Sequence, residues 1–422
     1  MRHNSFAAVA VSLLLLLAAC IKDTAYRTYT YKLYQPVYKT SDDVRANVKS
    51  SAAHSITSSG KMYISGNYIF LSENGLGVHV INNTDPSNPI NESYINIPGC
   101  TDIAAMGDVL YADCYTDLLA IDISNPKDVK LKNHVTNLFP DRQYVLGYHV
   151  DSGKVIAEWI VKDTTVTEKM VLDNFIGGPM YKDAFVSTGV LNNSTTSFSS
   201  SGGKASTGGS MARFAIQSNH LYAVTQSSLQ VLDLNKPLQP LWKTTVNLGW
   251  GIETIYPFKD KLFVGSNDGM RILSAANPAN PQVVGTFSHA RVCDPVIADD
   301  KYAYVTLRSG SACGGFTNQM DVVDVSNVSN PTLVKSYPFS NPRGLSKDGN
   351  VLFVCEGASD VKVLNASNAS NVVTTATIPM NESYDVICVD GLAIITAKDG
   401  IYQYRYTPAG AATLLSKIGI VK

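Results

Sequence analysis

Eight residues of this 422-residue sequence could act together: His54, Asp102, Tyr144, Arg213, Glu253, Asp294, Arg343 and Asp385. Each stands where a β-branched, aromatic strand begins, once per unit of an internal repeat. Seven of them are charged or carry an imidazole, in a chain with only 16% charged residues. Four carboxylates facing one opening, offset by Arg213 and Arg343, would suit a cation, a basic ligand or sugar hydroxyls. Crowding would also raise their pKa values, as acid–base catalysis requires. The plainer role, bonding exposed backbone and lining a wet channel, explains the pattern at least as well, so no catalytic residue is assigned.

Other chemistry is weakly signalled. His79, His134, His149, His220 and His289 lie in different units without HExxH or i, i+4 spacing, and no metal centre is expected from them. There is no GxSxG elbow and no Walker loop. The stretch 310–315 is glycine-rich but leaves a strand without opening a helix, so it does not read as a phosphate site. Trp159, Trp242 and Trp250 are too few for one tryptophan per repeat. Trp250, three residues before Glu253, is a candidate for stacking on a ligand, although an aromatic is more often a core residue. No cofactor is expected beyond a cation in the channel.

The elements that must position these residues are strands. NYIFLSENG (67–75), DVLYADCYTD (108–117), HLYAVTQSS (220–228), DKLFVGSNDG (260–269), KYAYVTLRSG (301–310), NVLFVCEGAS (350–359) and GLAIITAKDG (391–400) form one series. A second series follows, ending at Asn82, Asp122, Asp233, Ser274, Asp324 and Asn365, with spacings of 40, 111, 41, 50 and 41 residues. That period is about one propeller blade. VIAEWIVKD (155–163) and KMVLDN (169–174), ending near Asp173, fill the long gap as a degenerate unit, and GIYQYRY (400–406) closes the series. The expected fold is an all-β propeller of four-stranded antiparallel blades, eight by this count, with seven as the alternative. Stacking twisted sheets radially buries both faces of each, and closing the ring leaves only short edges. The Asx-x-Ser-x-Pro endings are turn chemistry, in which a side chain bonds local backbone and proline stops the strand.

The domain plan is a signal peptide at 1–19, a tether at 20–50 and a propeller at 51–422. A Ser, Thr, Gly and Asn-rich stretch at about 185–210 interrupts the propeller and is expected to be an exposed, mobile insertion. Thirty-four basic against 35 acidic residues leave a net charge of −1, which gives no electrostatic case for nucleic acid. At the N-terminus, Arg2 precedes an apolar run at 6–17 that is too short for a dependable membrane span, and Leu17-Ala18-Ala19-Cys20 closes it. Six further cysteines sit in a compartment that permits disulfides. Cys100 with Cys114, and Cys293 with Cys313, flank hairpins and are expected to be bridged. Cys355 with Cys388 is a less secure pair, with two buried thiols as the alternative.

The tetrapeptide ending at Cys20 resembles the lipobox of bacterial lipoproteins, which implies cleavage before Cys20 and acylation of its thiol and amino group. Ile21 at the next position favours the outer membrane, and Lys22-Asp23 faintly resembles a surface-export tag. Strands such as LLAIDISNP (118–126) and MDVVDVSNVSNP (320–331) resemble the LVIVD repeat, and the chain over about 55–406 is similar to LVIVD-repeat propeller lipoproteins of Bacteroidetes. That resemblance implies a surface or periplasmic propeller and carries no established activity. The expected function is a non-enzymatic scaffold binding an envelope protein or glycan. A hydrolase or lyase using Asp102, Glu253, Asp294 and Asp385 is one rival, and a structural subunit of an envelope complex is another. Cys20→Ala should move the protein from the membrane to the soluble fraction on fractionation; persistence in membranes would refute lipid anchoring.

Overall fold

The computed structural model describes residues 25–170, 207–288, 295–310 and 317–421. Seven four-stranded antiparallel sheets span 62–96, 103–135, 214–247, 252–288, 296–338, 345–379 and 383–419, and are called blades 1 to 7. Each runs from an inner to an outer strand in sequence order, as short hairpins dictate. The inner strands of successive blades lie against one another from Met62–Ser65 round to Ser383–Val389. A cluster of Ile56, Met62, Ile64, Ile69, Leu71 and Ile81 with Ile387, Leu392, Ile394 and Ile401 joins blade 7 to blade 1.

The count is seven rather than eight. Lys154–Met170, expected within a third unit, is a single 17-residue strand paired with Ala25–Thr40 in a two-stranded ribbon. The stretch VIAEWIVKD alternates as a strand should, but the strand runs on unbroken to Met170, and among the described residues it pairs only with Ala25–Thr40. The ribbon bonds Thr28 to Thr167 at 2.9 Å and Thr30 to Thr165 at 3.0 Å, and sets Tyr34 edge-on to Trp159. Among the described residues, 25–38 with 156–170 form one compact unit, and 39–155 with those of 207–421 form the other.

The segment expected as a tether is folded over part of its length. Ser41–Arg45 is a short helix capped by Thr40, Val44 and Val48 enter the core, and Lys49–Ala52 pairs with the outer strand Ile90–Asn96 of blade 1. The insertion lies outside the described residues up to 206. Its end departs from expectation, because Thr207–Gly208 pairs with Met62–Ser65 and Ser210 is buried, accepting a hydrogen bond from the Leu345 amide. No helix among the described residues is long and apolar enough to cross a membrane. Cys20 and the signal segment lie outside the described residues.

Two local devices recur. The polar residue ending each third strand accepts from the amide two residues on: Asn82 from Thr84, Asp122 from Ser124, Asp233 from Asn235, Ser274 from Ala276, Asp324 from Ser326 and Asn365 from Ser367. These are the Asx-type turns read from the sequence. All seven blades also carry a register shift between the third and fourth strands at the same place, from Val80/Ile81 in blade 1 to Gln403/Tyr404 in blade 7. Such a bulge adds twist, which turns the outer edge relative to the inner strand.

The turn after the Asx residue makes the joint between blades. Ser93 donates to Pro126 O at 2.8 Å, Tyr111 to Pro237 O at 2.8 Å, Tyr222 to Pro278 O at 2.9 Å, Tyr337 to Ala369 O at 2.7 Å and Ser416 to Pro86 O at 2.6 Å. In each case a hydroxyl of one blade reaches the turn of the next. Between blades 4 and 5 the joint is made by absence of a side chain, since a Cβ on Gly285 would stand 1.7 Å from Val328 O.

The expected disulfides are absent among the described residues. Cys100, Cys114, Cys355 and Cys388 are free and buried, while Cys293 and Cys313 lie outside the described residues. The ladder of blade 2 pairs Ile103 with Ala112, a register that carried outward sets Cys114 beside Thr101 rather than Cys100. The Cys114 thiol instead donates to Pro98 O at 3.2 Å, and the Cys100 thiol faces Asp102 O at 3.9 Å. Cys355 and Cys388 sit in neighbouring blades within one apolar cluster, packed as small hydrophobes. Burial pushes the Cys114 and Cys388 thiols up to about 12, which suppresses thiolate reactivity. These four thiols should resist a thiol reagent in the folded protein and react after denaturation without reductant. A requirement for reductant would show that they are bridged.

Candidate functional site

The inner strands bring one residue of each blade to an equivalent place, just where the first ladder begins. The amides of Ser72, Asp113, Val224, Thr306 and Cys355 donate to the carbonyls of Lys61, Asp102, Arg213, Pro295 and Gly344, and the ladders set Gly265 opposite Thr254 and Thr396 opposite Asp385. The ring of equivalents is therefore Lys61, Asp102, Arg213, Thr254, Pro295, Gly344 and Asp385. Because blade 7 adjoins blade 1, Asp385, Lys61, Asp102 and Arg213 are consecutive, with charges that alternate in sign.

Asp385, Lys61 and Asp102 are buried, Arg213 is half-buried, and the charges of the four offset one another. Lys61 Nζ lies 3.5 Å from Asp102 Oδ1 and donates to Met211 O at 3.0 Å. Arg142 reaches Asp102 at 3.8 Å and also pairs with Asp113, whose carboxylate accepts the Thr101 and Asp102 amides at 2.7 and 2.9 Å. Burial lowers the Lys61 pKa, and the neighbouring Arg213 lowers it further, against the opposing pull of Asp102 and Asp385. Burial alone would raise Asp102, but Lys61, Arg213 and Arg142 together hold it below the usual carboxylate value. A carboxylate so held does not act as a proton donor near neutral pH.

Of the residues expected at the mouth, Asp102, Arg213 and Asp385 occupy the ring. Glu253 and Arg343 fall one residue short of the equivalents Thr254 and Gly344 and form an outer layer. There Arg343 pairs with Glu382 at 3.3 Å and stacks on Tyr384, with its guanidinium carbon 5.0 Å from the ring centroid. Arg308 senses the same charges: burial and the Arg343 charge lower its pKa against the opposing pull of Glu253. The backbone of Gly344 lies against the Asp385 carboxylate, and a Cβ there would stand 2.0 Å from Oδ1. Asp294 lies outside the described residues. Trp250 is 69% exposed and available for contact rather than core packing.

Two expectations are corrected. Tyr144 belongs to no blade; it is exposed on the hairpin formed by Tyr144–Val145 and Tyr148–His149 and contacts the His149 ring. His54 is not on the inner strand but packs against His79 and Tyr94 of the outer strands of blade 1. Lys61 takes the ring position in its place. The missed signal was its spacing, since Lys61 directly precedes Met62 as Asp102 precedes Ile103 and Arg213 precedes Phe214.

Removing one member of the buried run should be costly. Asp102→Ala leaves Lys61, Arg142 and Arg213 without their shared counter-charge and should destabilise the protein by about 3–5 kcal/mol in urea unfolding. The Asp102 contribution is present above an unfolded-state pKa of about 3.9 and is lost as pH falls through the lower folded value. The variant should accordingly lose less stability on acidification than the parent. An unchanged midpoint would refute the network.

The LVIVD repeat model matches residues 100–137 and 292–338, in blades 2 and 5. No curated protein matches the chain. A crystal structure of a protein from Lactobacillus plantarum is similar with TM-score 0.54 at 10% identity, over 86% of this chain and 98% of that one. A periplasmic gluconolactonase from Pseudomonas aeruginosa is similar with TM-score 0.52 at 9% identity, over 85% of this chain and 96% of that one. At such identities the likeness is one of fold, and the chain is a seven-bladed propeller built in part from LVIVD repeats.

Proposed function

We propose that the chain is an envelope lipoprotein of the Bacteroidetes LVIVD-repeat type, held at the outer membrane through acylated Cys20, and that it is a non-enzymatic scaffold whose channel mouth binds an envelope glycan or protein. The observation that carries this reading is the self-neutralised run Asp385, Lys61, Asp102 and Arg213. The Asp102 carboxylate in this run is held ionised by Lys61, Arg213 and Arg142 and is not poised for acid–base work, and Lys61 supplies positive charge beside Asp102 and Asp385.

The hydrogen-bonding capacity left over at the mouth is mostly donor. Arg213 Nε and Arg343 Nε are both buried with no hydrogen-bond partner. The guanidinium groups of Arg213 and Arg343 and the exposed indole of Trp250 each suit an oxygen-rich ligand, with hydroxyls or carboxylates bonded by arginine and an apolar face stacked on tryptophan. The fold itself does not select the ligand, because propellers host many functions.

The test is a binding screen of the full chain against a glycan panel and detergent-solubilised envelope proteins, repeated with Arg343→Ala, Glu253→Ala and Trp250→Ala. Loss of affinity of about tenfold or more in Arg343→Ala and Trp250→Ala is expected, corresponding to roughly 1.4 kcal/mol. Full retention of affinity in all three would remove the channel mouth as the binding site. Turnover of a glycan during the screen would instead favour the hydrolase or lyase reading.

A further inference from the structure

Away from the channel, one end of blade 1 gathers three metal-ligating side chains from separate segments. His54 comes from the irregular stretch before the inner strand, Glu73 ends the second strand and His79 lies on the third. One donor atom from each lies within 4.8 Å of the other two. Among the described residues no other group of three or more His, Cys, Asp or Glu side chains meets that condition.

Glu73 and His79 are essentially inaccessible, whereas His54 is exposed. A buried imidazole and a buried carboxylate normally settle into a hydrogen bond. Here His79 Nε2 lies 3.4 Å from Glu73 Oε2 and yet makes no hydrogen bond. Two ligands each about 2.05 Å from a tetrahedral ion are about 3.4 Å apart. The pair is thus spaced as an ion would require and poorly arranged for bonding directly.

The surroundings orient the donors. Thr57 gives both its amide, at 3.0 Å, and its hydroxyl to Glu73 Oε1, so that Oε2 is the oxygen turned to His79. Those bonds outweigh the upward push of burial and keep the Glu73 carboxyl ionised. Burial and the nearby Glu73 charge keep the Tyr94 hydroxyl protonated, and its ring lies 4.8 Å from that of His79. His54 Nδ1 faces Ser55 O at 2.9 Å, which places the proton there and leaves Nε2 with its lone pair. The Asn91 amide nitrogen donates to His54 O at 2.8 Å and lies 3.4 Å from His79 Nδ1, while its buried oxygen has no partner. With an ion on His79 Nε2 the proton sits on Nδ1, on the side of the ring that faces Asn91.

We propose that His54, Glu73 and His79 form a binding site for a divalent transition-metal ion of the zinc type. Two imidazoles and one carboxylate are a borderline-hard donor set that suits zinc and disfavours calcium or magnesium, which prefer oxygen alone. The two buried ligands supply a fixed half of the site, and the exposed His54 ring swings in to complete three protein ligands. The fourth position faces solvent, where water or a ligand group can bind the ion. This inference does not depend on the channel mouth.

The test uses the full chain, free of any histidine tag and stripped with a chelator. Calorimetric titration with Zn²⁺ should give one ion per chain, and Co²⁺ should give the visible absorption of a four- or five-coordinate site. His54→Ala, which alters an exposed side chain, should keep the thermal midpoint of the apo protein and weaken Zn²⁺ binding by at least about tenfold. Glu73→Gln should weaken it similarly without removing side-chain volume. Ca²⁺ and Mg²⁺ should not compete. Absence of stoichiometric Zn²⁺ binding, or binding unchanged in both variants, would overturn the proposal.

Discussion

The contact on which the ring depends is a carbonyl. After the third strand in blades 1 to 6 the chain turns on its Asx or serine residue, and at five joints the turn presents one backbone oxygen sideways, where the preceding blade meets it with Ser93, Tyr111, Tyr222, Tyr337 or Ser416. A net hydrogen bond is worth only about 0.5–1.5 kcal/mol. Its larger effect is geometric, because it fixes how far one twisted sheet rotates over the next. The bulge found in all seven blades supplies the matching twist. The proline that often follows the Asx residue limits the turn's conformations, so that the oxygen is presented in nearly the same way each time. Where the preceding blade offers no hydroxyl, at Gly285, the backbones close up instead.

A ring fixed in this way dictates what happens at its centre. Seven inner strands converge, and the residue that opens each ladder is forced towards its neighbours whatever its charge. Lys61, Asp102 and Arg213 are tolerated there because adjacent blades alternate in sign, and Thr254, Pro295 and Gly344 avoid the problem by carrying none. Asp102 and Asp385, two of the acids that look like part of a catalytic cluster in the sequence, are therefore separated by Lys61. Polar groups with capacity to spare are found at Arg213 and Arg343 and, on blade 1, around His79 and Asn91.

Local features were the legible ones. The strand-end polar residues, their spacing and the strand alternation act over a few residues, and Asn82, Asp122, Asp233, Ser274, Asp324 and Asn365 stand in the structure where the repeat placed them, while Asp173 lies outside the described residues. Features needing a register or a distant partner were not legible. VIAEWIVKD has the alternation of a blade strand, but whether a strand joins a four-stranded sheet or a long ribbon depends on the turns that follow it. His54 was aligned by distance along the chain, although an irregular stretch separates it from its strand and frees it to reach His79. Cys100 and Cys114 flank a hairpin, but a ladder one residue out of step keeps them from pairing. The grouping of His54, Glu73 and His79 is hidden for a related reason: 19 and 6 residues separate them, and neither spacing is a helical or hairpin signature.

The join between blades 7 and 1 has a consequence for the time course of folding. Every strand of blade 7 comes from 383–419 and every one of the four core strands of blade 1 from 62–96, so neither blade is completed by a strand from the opposite terminus. The join is made by side chains, with Asn83 and Gln403 exchanging amide hydrogen bonds at 3.0 and 2.6 Å across 320 residues, and by one backbone bond from the Val421 amide to Ile56 O at 2.9 Å. Each blade can hence form from contiguous sequence as it emerges, a sequence of local and rapid steps. Closure must wait for the last 40 or so residues and carries the entropy of a very long loop. Until then the growing arc has two apolar flanks, Ile69 and Leu71 on one and whichever blade is newest on the other. The interval between synthesis of blade 1 and arrival of blade 7 is thus the period in which the chain is most exposed to pairing with the wrong partner.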